Sequence, residues 1–137
     1  AAVDMFGPVD IRRCNEIEVD RFKDPNHRWH SLGETHGGAL LGGDESTMLE
    51  RSDEASPIFS MNERMCPITI LHGDQDPLVS VEISEDFYRR IVEAGFEDRA
   101  DLYIVKNGGH GTRELFQPMT KKVILDFFDK HLKGAGA

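Results

Sequence analysis

The sequence has few cysteines, no long apolar run and a shortage of basic residues. Cys14 and Cys66 lie far apart, which excludes a disulfide framework and a zinc knuckle. No stretch approaches the ~18 apolar residues of a membrane-spanning helix, and no signal peptide is visible. The 16 basic residues are outnumbered by 25 acidic ones, giving a formal charge of −9. This balance argues against nucleic acid and anionic membranes as partners, and it leaves the cellular compartment undetermined.

Three short apolar segments have the composition of β-strands, and each ends in a turn-forming cluster. Strands are predicted over residues 1–6, 67–71 and 102–105. The unbroken apolar run of the second segment suits a strand that is covered on both faces. Amphipathic helices are predicted over residues 80–94 and 118–132. Strands that alternate with helices predict an α/β fold with parallel strands and flanking helices.

The segment between the first two strands has no sustained period. Residues 11–38 are rich in charge, histidine and glycine, and are predicted to form a loop with at most a short helical turn. Asp44 is predicted to cap a short helix that runs to about Asp53.

The C-terminal helix is predicted to bury Val123, Ile124, Phe127, Phe128 and Leu132, and residues 134–137 are predicted to form a flexible tail.

Polar clusters follow the second and third predicted strands. Asp74 and Asp76 occur in His72-Gly73-Asp74-Gln75-Asp76-Pro77, and His110 occurs in Asn107-Gly108-Gly109-His110-Gly111. Because the carboxyl ends of parallel strands meet at one edge of a sheet, we expect these side chains to lie close together. A carboxylate that accepts the Nδ1 proton of an imidazole leaves the other ring nitrogen free to act as a general base. Each cluster alone is typical of a turn, but together they indicate a catalytic pair.

These residues also resemble a known family. ILHGDQDPLVSVEISEDFYRRIVEAG, followed by LYIVKNGGHG and an amphipathic helix, resembles the C-terminal part of an α/β-hydrolase of the esterase/lipase branch, which includes acetyl-xylan- and feruloyl-esterase-like proteins. AAVDMFGPVD and LLGGDESTMLERSDEASPIFSM are similar to the same branch. The resemblance implies one partial α/β-hydrolase domain over residues 1–137, with Asp76 as the acid, His110 as the histidine and Asp74 as a turn residue. Ser80 stands where the family often has proline.

The nucleophile of that family is missing from the chain. None of the seven serines lies in G-x-S-x-G, and the family order of Ser, Asp and His places the nucleophile before residue 1. Gly37-Gly38 after His36 resembles an oxyanion motif but lies on the wrong side of that position, so a glycine-rich turn is predicted there. The chain is therefore expected to supply the acid and the histidine of a Ser-Asp-His triad in a serine carboxylic-ester hydrolase, and to be inactive alone.

The resemblance also implies partners. We expect a small-molecule ester as substrate, with no cofactor and no metal. Half of a sheet leaves one strand edge unpaired, so the N-terminal half of the hydrolase or a second copy of the chain is expected to cover it.

The resemblance and the residues together leave several alternatives open. A peptidase of the prolyl-oligopeptidase-like branch shares the Asp and His arrangement, and a truncated, catalytically inactive α/β module is a non-enzymatic possibility. Trp29 is predicted either to line a substrate pocket or to pack within a surface loop. His27, His30 and His36 surround it with irregular spacing, and no cysteine or acidic cluster completes a metal site there.

Overall fold

The structure is a computed structural model that describes residues 1–133, and the tail predicted over residues 134–137 lies outside the described residues. The regular elements, in chain order, are β1 (Ala2–Met5), α1 (Ile11–Arg21), α2 (His36–Leu41), α3 (Met48–Ala55), β2 (Ile68–Gly73), α4 (Val81–Glu93), β3 (Ala100–Val105) and α5 (Pro118–Phe128). They divide into two compact units: residues 8–60 form one, and residues 1–7 together with the described residues from 61 onward form the other.

The larger unit is built on a three-stranded parallel sheet in the order β1-β2-β3, as the alternation of strands and helices predicted. Ala2 lies opposite Ile68, and Ile68 lies opposite Ala100, so the three strands begin in register. β2 is the central strand, and all but its first residue are buried. Because α4 connects β2 to β3, the carboxyl ends of both strands lie at the same edge.

The C-terminal helix buries less than predicted. Phe127 is 6% exposed and belongs to the core, whereas Leu132 is 65% exposed. The placement of Leu132 on the buried face was therefore wrong. The prediction assumed a constant α-helical period, but Asp129–Lys133 form a π-helical turn after α5, which rotates Leu132 away from the stripe.

The smaller unit is helical where the sequence predicted a loop. Asp10 caps α1 by accepting a hydrogen bond from Arg13 N at 2.8 Å. The buried face of α1 consists of Ile11, Asn15 and Glu18, so two of its three members are polar. A helix with such a face shows almost no hydrophobic period, and this is why the prediction of a loop was wrong for residues 11–21.

Buried polar side chains connect the helices of the smaller unit. Asn15 Nδ2 donates to Ser52 Oγ at 3.1 Å, and Ile11 N donates to Ser56 Oγ at 2.8 Å. Ser52 and Ser56 lie in and directly after α3, and both are buried. Their bonds connect α1 to α3 across 37 to 45 positions of sequence, so local patterns could not reveal them.

The glycines after His36 lie within α2, so the prediction of a turn there was also wrong. Gly38 packs so tightly that a Cβ would lie 1.9 Å from Leu32 O, and the helix start is capped by Thr35.

Within residues 1–133, no helix has the length and apolarity needed to cross a membrane.

Candidate active site

The loops that follow β2 and β3 are hydrogen-bonded to each other. Gln75 N donates to Gly108 O at 2.8 Å, and Asn107 N donates to Asp74 Oδ1 at 2.7 Å. A Cβ at Gly73 would lie 2.1 Å from Gly108 O, so this approach of the two backbones requires glycine. Asp74 therefore joins the two turns.

Asp76 makes more hydrogen bonds than Asp74, the other carboxylate in the loop after β2. Its Oδ1 accepts hydrogen bonds from Leu78 N at 2.8 Å and from Val79 N at 2.9 Å. Its Oδ2 lies 2.9 Å from His110 Nδ1. The Asp76 side chain is fully buried, whereas that of His110 is 32% exposed. The two residues that the strand order predicted to be adjacent are therefore in direct contact.

This contact determines which nitrogen of His110 carries the proton. An ionised carboxylate only accepts, so Nδ1 is the donor toward Asp76. Nε2 then carries a lone pair and acts as a base, and no hydrogen bond from residues 1–133 occupies it. The pair can therefore take a proton at a partly exposed nitrogen while a buried carboxylate stabilises the resulting imidazolium.

His72 also contacts the acid, and the sequence reasoning gave it no role. Its side chain is fully buried, with Nε2 at 3.0 Å from Val79 O and 3.3 Å from Asp76 Oδ2. Both of those oxygens accept, so Nε2 carries a hydrogen. Nδ1 is bonded to Ser84 Oγ of α4 at 2.6 Å. His72 thus connects the loop that carries Asp76 to helix α4. Its position near the end of a buried apolar strand was the sequence signal that could have predicted this structural role.

A half-buried carboxylate, Asp4, lies on β1. Burial raises the pKa of Asp4, and this outweighs the hydrogen bond from Gly7 N and the charge of His72, which lower it. Asp4 Oδ1 accepts that bond at 3.1 Å. Oδ2 is buried without a hydrogen-bond partner among residues 1–133. Asp4 is therefore a half-buried acid with one oxygen that lacks a hydrogen-bond partner among residues 1–133.

Trp29 lies in the smaller unit and is half-buried. Its ring is 4.8 Å from that of His36 in a T-shaped arrangement, and the Arg28 guanidinium lies 5.2 Å from the ring centroid. His27 Nε2 is bonded to Glu18 Oε2 at 2.9 Å. Residues 1–133 contain no group of three or more His, Cys, Asp or Glu that could hold a metal ion. A substrate-binding role for Trp29 stays a prediction.

The serines of the chain do not complete the pair. Ser52, Ser56 and Ser84 are buried, and Ser84 is bonded to His72. Within the described part of the chain no serine hydrogen-bonds to His110.

A parallel β/α unit that carries an acid after one strand and a histidine after the next defines an α/β-hydrolase-type fold. The chain belongs to the BD-FAE family, whose sequence profile matches residues 1–91. This match covers Asp76 and ends before His110. No curated protein sequence matches the chain.

Two solved structures are similar in fold. A truncated form of a carbohydrate esterase from gut microbiota superimposes with a TM-score of 0.74 at 28% identity, over 95% of this chain and 42% of that chain. A puromycin-hydrolysing peptidase of Mycobacterium tuberculosis gives a TM-score of 0.69 at 21% identity, over 96% of this chain and 18% of that chain. The present chain therefore spans less than half the length of either protein.

Proposed function

We propose that the chain supplies the acid and the histidine of a Ser-Asp-His triad in a serine carboxylic-ester hydrolase. The observation that carries the proposal is the 2.9 Å contact between the buried Asp76 carboxylate and the Nδ1 atom of the partly exposed His110. The nucleophilic serine would come from a segment outside this sequence, because none of the seven serines lies in a G-x-S-x-G turn.

In the proposed reaction, His110 Nε2 removes the proton of the serine hydroxyl as the serine attacks the ester carbonyl. The imidazolium that forms is stabilised by Asp76, which stays ionised, and it then protonates the leaving alcohol. Leu78 N and Val79 N hold the other carboxylate oxygen, so Asp76 cannot rotate away from His110 during the cycle. The chain thus provides the proton transfer, and the missing segment provides the nucleophile and the oxyanion donors.

We propose an ester on a carbohydrate as the substrate class. The support is the family membership together with the similarity to a carbohydrate esterase. Trp29 is a half-buried aromatic side chain, a type that often packs against sugar rings, and we propose it as a substrate contact.

The test uses the chain joined to a nucleophile-bearing N-terminal segment of the same family, with hydrolysis of p-nitrophenyl acetate and of acetylated xylan as the measurements. His110→Ala and Asp76→Asn should each lower kcat by about 10⁴-fold, as in other serine triads. Asp74→Asn is the matched control, since its amide oxygen still accepts from Asn107 N and its activity should be unchanged. Full activity of His110→Ala would refute the proposal.

The chain alone should be inactive. A fluorophosphonate that reacts with activated serines should leave it unlabelled, because no serine is bonded to the histidine base in the described structure. Labelling of any of its serines would contradict this expectation. In the reconstituted protein, release of dipeptides without ester hydrolysis would instead identify the peptidase alternative.

A further inference from the structure

Phe6 has an unusual backbone conformation directly after β1. Its φ angle is +51°, in the left-handed region that favours glycine. Asn107, with a φ of +59°, is the other residue besides glycine with positive φ in residues 1–133, and asparagine tolerates this region well. A phenylalanine there is strained, and such strain persists only where the surrounding structure enforces it.

The hydrogen bonds on either side of Phe6 enforce the strain. Phe6 N donates to Leu71 O at 2.9 Å, which continues the pairing of β1 with β2. The next amide, Gly7 N, donates to Asp4 Oδ1 at 3.1 Å and closes a tight turn. A Cβ at Gly7 would lie 2.3 Å from Asp4 Oδ1, so a side chain there would displace the Asp4 carboxylate. The tight turn after β1 therefore includes a strained residue, Phe6.

The strained conformation directs the Phe6 ring onto His110. The two ring centroids are 4.6 Å apart, with an interplanar angle of 59°. Phe6 Cζ lies 3.7 Å from the place that a Cβ of Gly111 would occupy, so a side chain there would meet the phenyl ring. A single hydrogen bond to Asp76 leaves the imidazole able to turn about that bond. The ring contact supplies the second constraint.

We infer that Phe6 is a positioning residue for His110: its ring holds the imidazole plane so that Nδ1 meets Asp76 while Nε2 faces the substrate side. The inference deepens the proposed function, since it rests on His110 as the general base. A purely structural phenylalanine does not require positive φ, because an extended residue can equally place a ring in the core. The strain at Phe6 is explained by the need to reach His110, which follows β3, the strand beyond β2.

The first test measures the reactivity of His110 in this chain. Diethyl pyrocarbonate modifies accessible imidazoles, and mass spectrometry reports the rate for each histidine. Phe6→Leu and Phe6→Gly should raise the rate at His110 by about 2- to 10-fold, the factor that an aromatic pair of this geometry contributes. Phe6→Tyr, which keeps the aromatic ring, should restore the rate of the natural sequence.

His131 is the internal reference, because its ring lies 4.7 Å from that of Phe127 at 54°, which is nearly the geometry of the Phe6 pair. Its rate should stay constant in all Phe6 variants. A rise at both histidines would show general loosening of the fold and overturn the inference. An unchanged rate at His110 in Phe6→Leu would overturn it as well.

The second test separates strain from contact. Phe6→Gly and Phe6→Ala both remove the ring, but only glycine adopts positive φ without strain. Phe6→Gly should therefore have the higher melting temperature. Equal stability of the two variants would show that the backbone is unstrained and would refute the inference.

The third test uses the reconstituted esterase. Phe6→Leu should lower kcat and leave KM unchanged, since it disturbs the base and not the binding of substrate. A rise in KM alone would contradict a positioning role. His110→Ala serves as the separate test of the proposed function: if it stays active, the proposed triad fails, whereas a changed His110 reactivity in Phe6→Leu still records the contact.

Discussion

At the scale of single residues, His72 is a fully buried polar side chain whose two ring nitrogens both have hydrogen-bond partners. It is fully buried and bonded to Val79 O and Ser84 Oγ, and it also approaches Asp76. His72→Leu should lower the free energy of unfolding by about 2–4 kcal/mol, since each buried partner left unsatisfied costs roughly 1–3 kcal/mol. Urea unfolding followed by far-ultraviolet circular dichroism measures this. The exposed His30 is the control position, and equal losses for His72→Leu and His30→Leu would contradict the prediction.

Asp4 should make stability depend on pH in the direction opposite to that of a salt-bridged acid. Burial raises its pKa above the ordinary 3.8, so the folded state binds the proton more tightly than the unfolded state does. Stability from this group is present at low pH and is lost as pH rises from about 3.8 through the raised folded-state pKa. Asp4→Asn keeps the acceptor for Gly7 N and removes the charge, so it should abolish this fall.

Melting temperatures of both proteins between pH 3 and 8 provide the measurement for Asp4. The natural sequence should lose stability relative to Asp4→Asn across that window. Parallel curves for the two proteins would show that Asp4 does not titrate differently in the folded and unfolded states.

At the scale of elements, α1 depends on its cap. Asp10 accepts a hydrogen bond from Arg13 N at 2.8 Å, and Asp10→Ala should lower the free energy of unfolding by about 1 kcal/mol. Ser80→Ala is the matched control, because Ser80 occupies the same position before α4 but makes no side-chain capping bond. Thermal unfolding should place Ser80→Ala close to the natural sequence. If the control loses as much stability as Asp10→Ala, capping does not explain the effect.

The elements also differ in how well the sequence predicted them. The central strand β2 and the helix α4 follow apolar patterns that are local, and both were predicted within two or three residues. The helix α1 was not predicted, because two of the three residues on its buried face, Asn15 and Glu18, are polar and form hydrogen bonds there. Hydrophobic periodicity reveals the buried face of a helix only where that face is apolar.

At the scale of the whole molecule, β1 is an edge strand of the described sheet. Ala2 N and Phe6 N donate to β2, so by alternation the amides of Val3 and Met5 point to the other side. We propose that this edge pairs with the N-terminal half of the hydrolase, or with a second copy when that half is absent. The chain alone should therefore self-associate as its concentration rises.

Val3→Pro tests this pairing, since proline removes one amide from the outer edge and leaves the bonds to β2 in place. Light scattering coupled to size exclusion should show weaker association for Val3→Pro than for Val3→Ala. Identical association of the two variants would place the contact elsewhere. Loss of folding in Val3→Pro would be visible by circular dichroism and would contradict the assignment of Val3 to the outer edge.

The sequence by itself determined the parallel α/β architecture and the adjacency of Asp76 and His110, because strand periodicity and the order of strands along the chain are local properties. Only the tertiary structure decided the helical form of residues 11–21, the exposure of Leu132, the bonds of His72 and the contact of Phe6 with His110. The helix at residues 11–21 and the contact of Phe6 with His110 involve partners from a distant part of the chain. The bonds of His72 and the exposure of Leu132 depend on the path of the backbone through the following loop and through the π-helical turn. The type of a residue and the residues next to it in sequence do not specify these contacts or this backbone path.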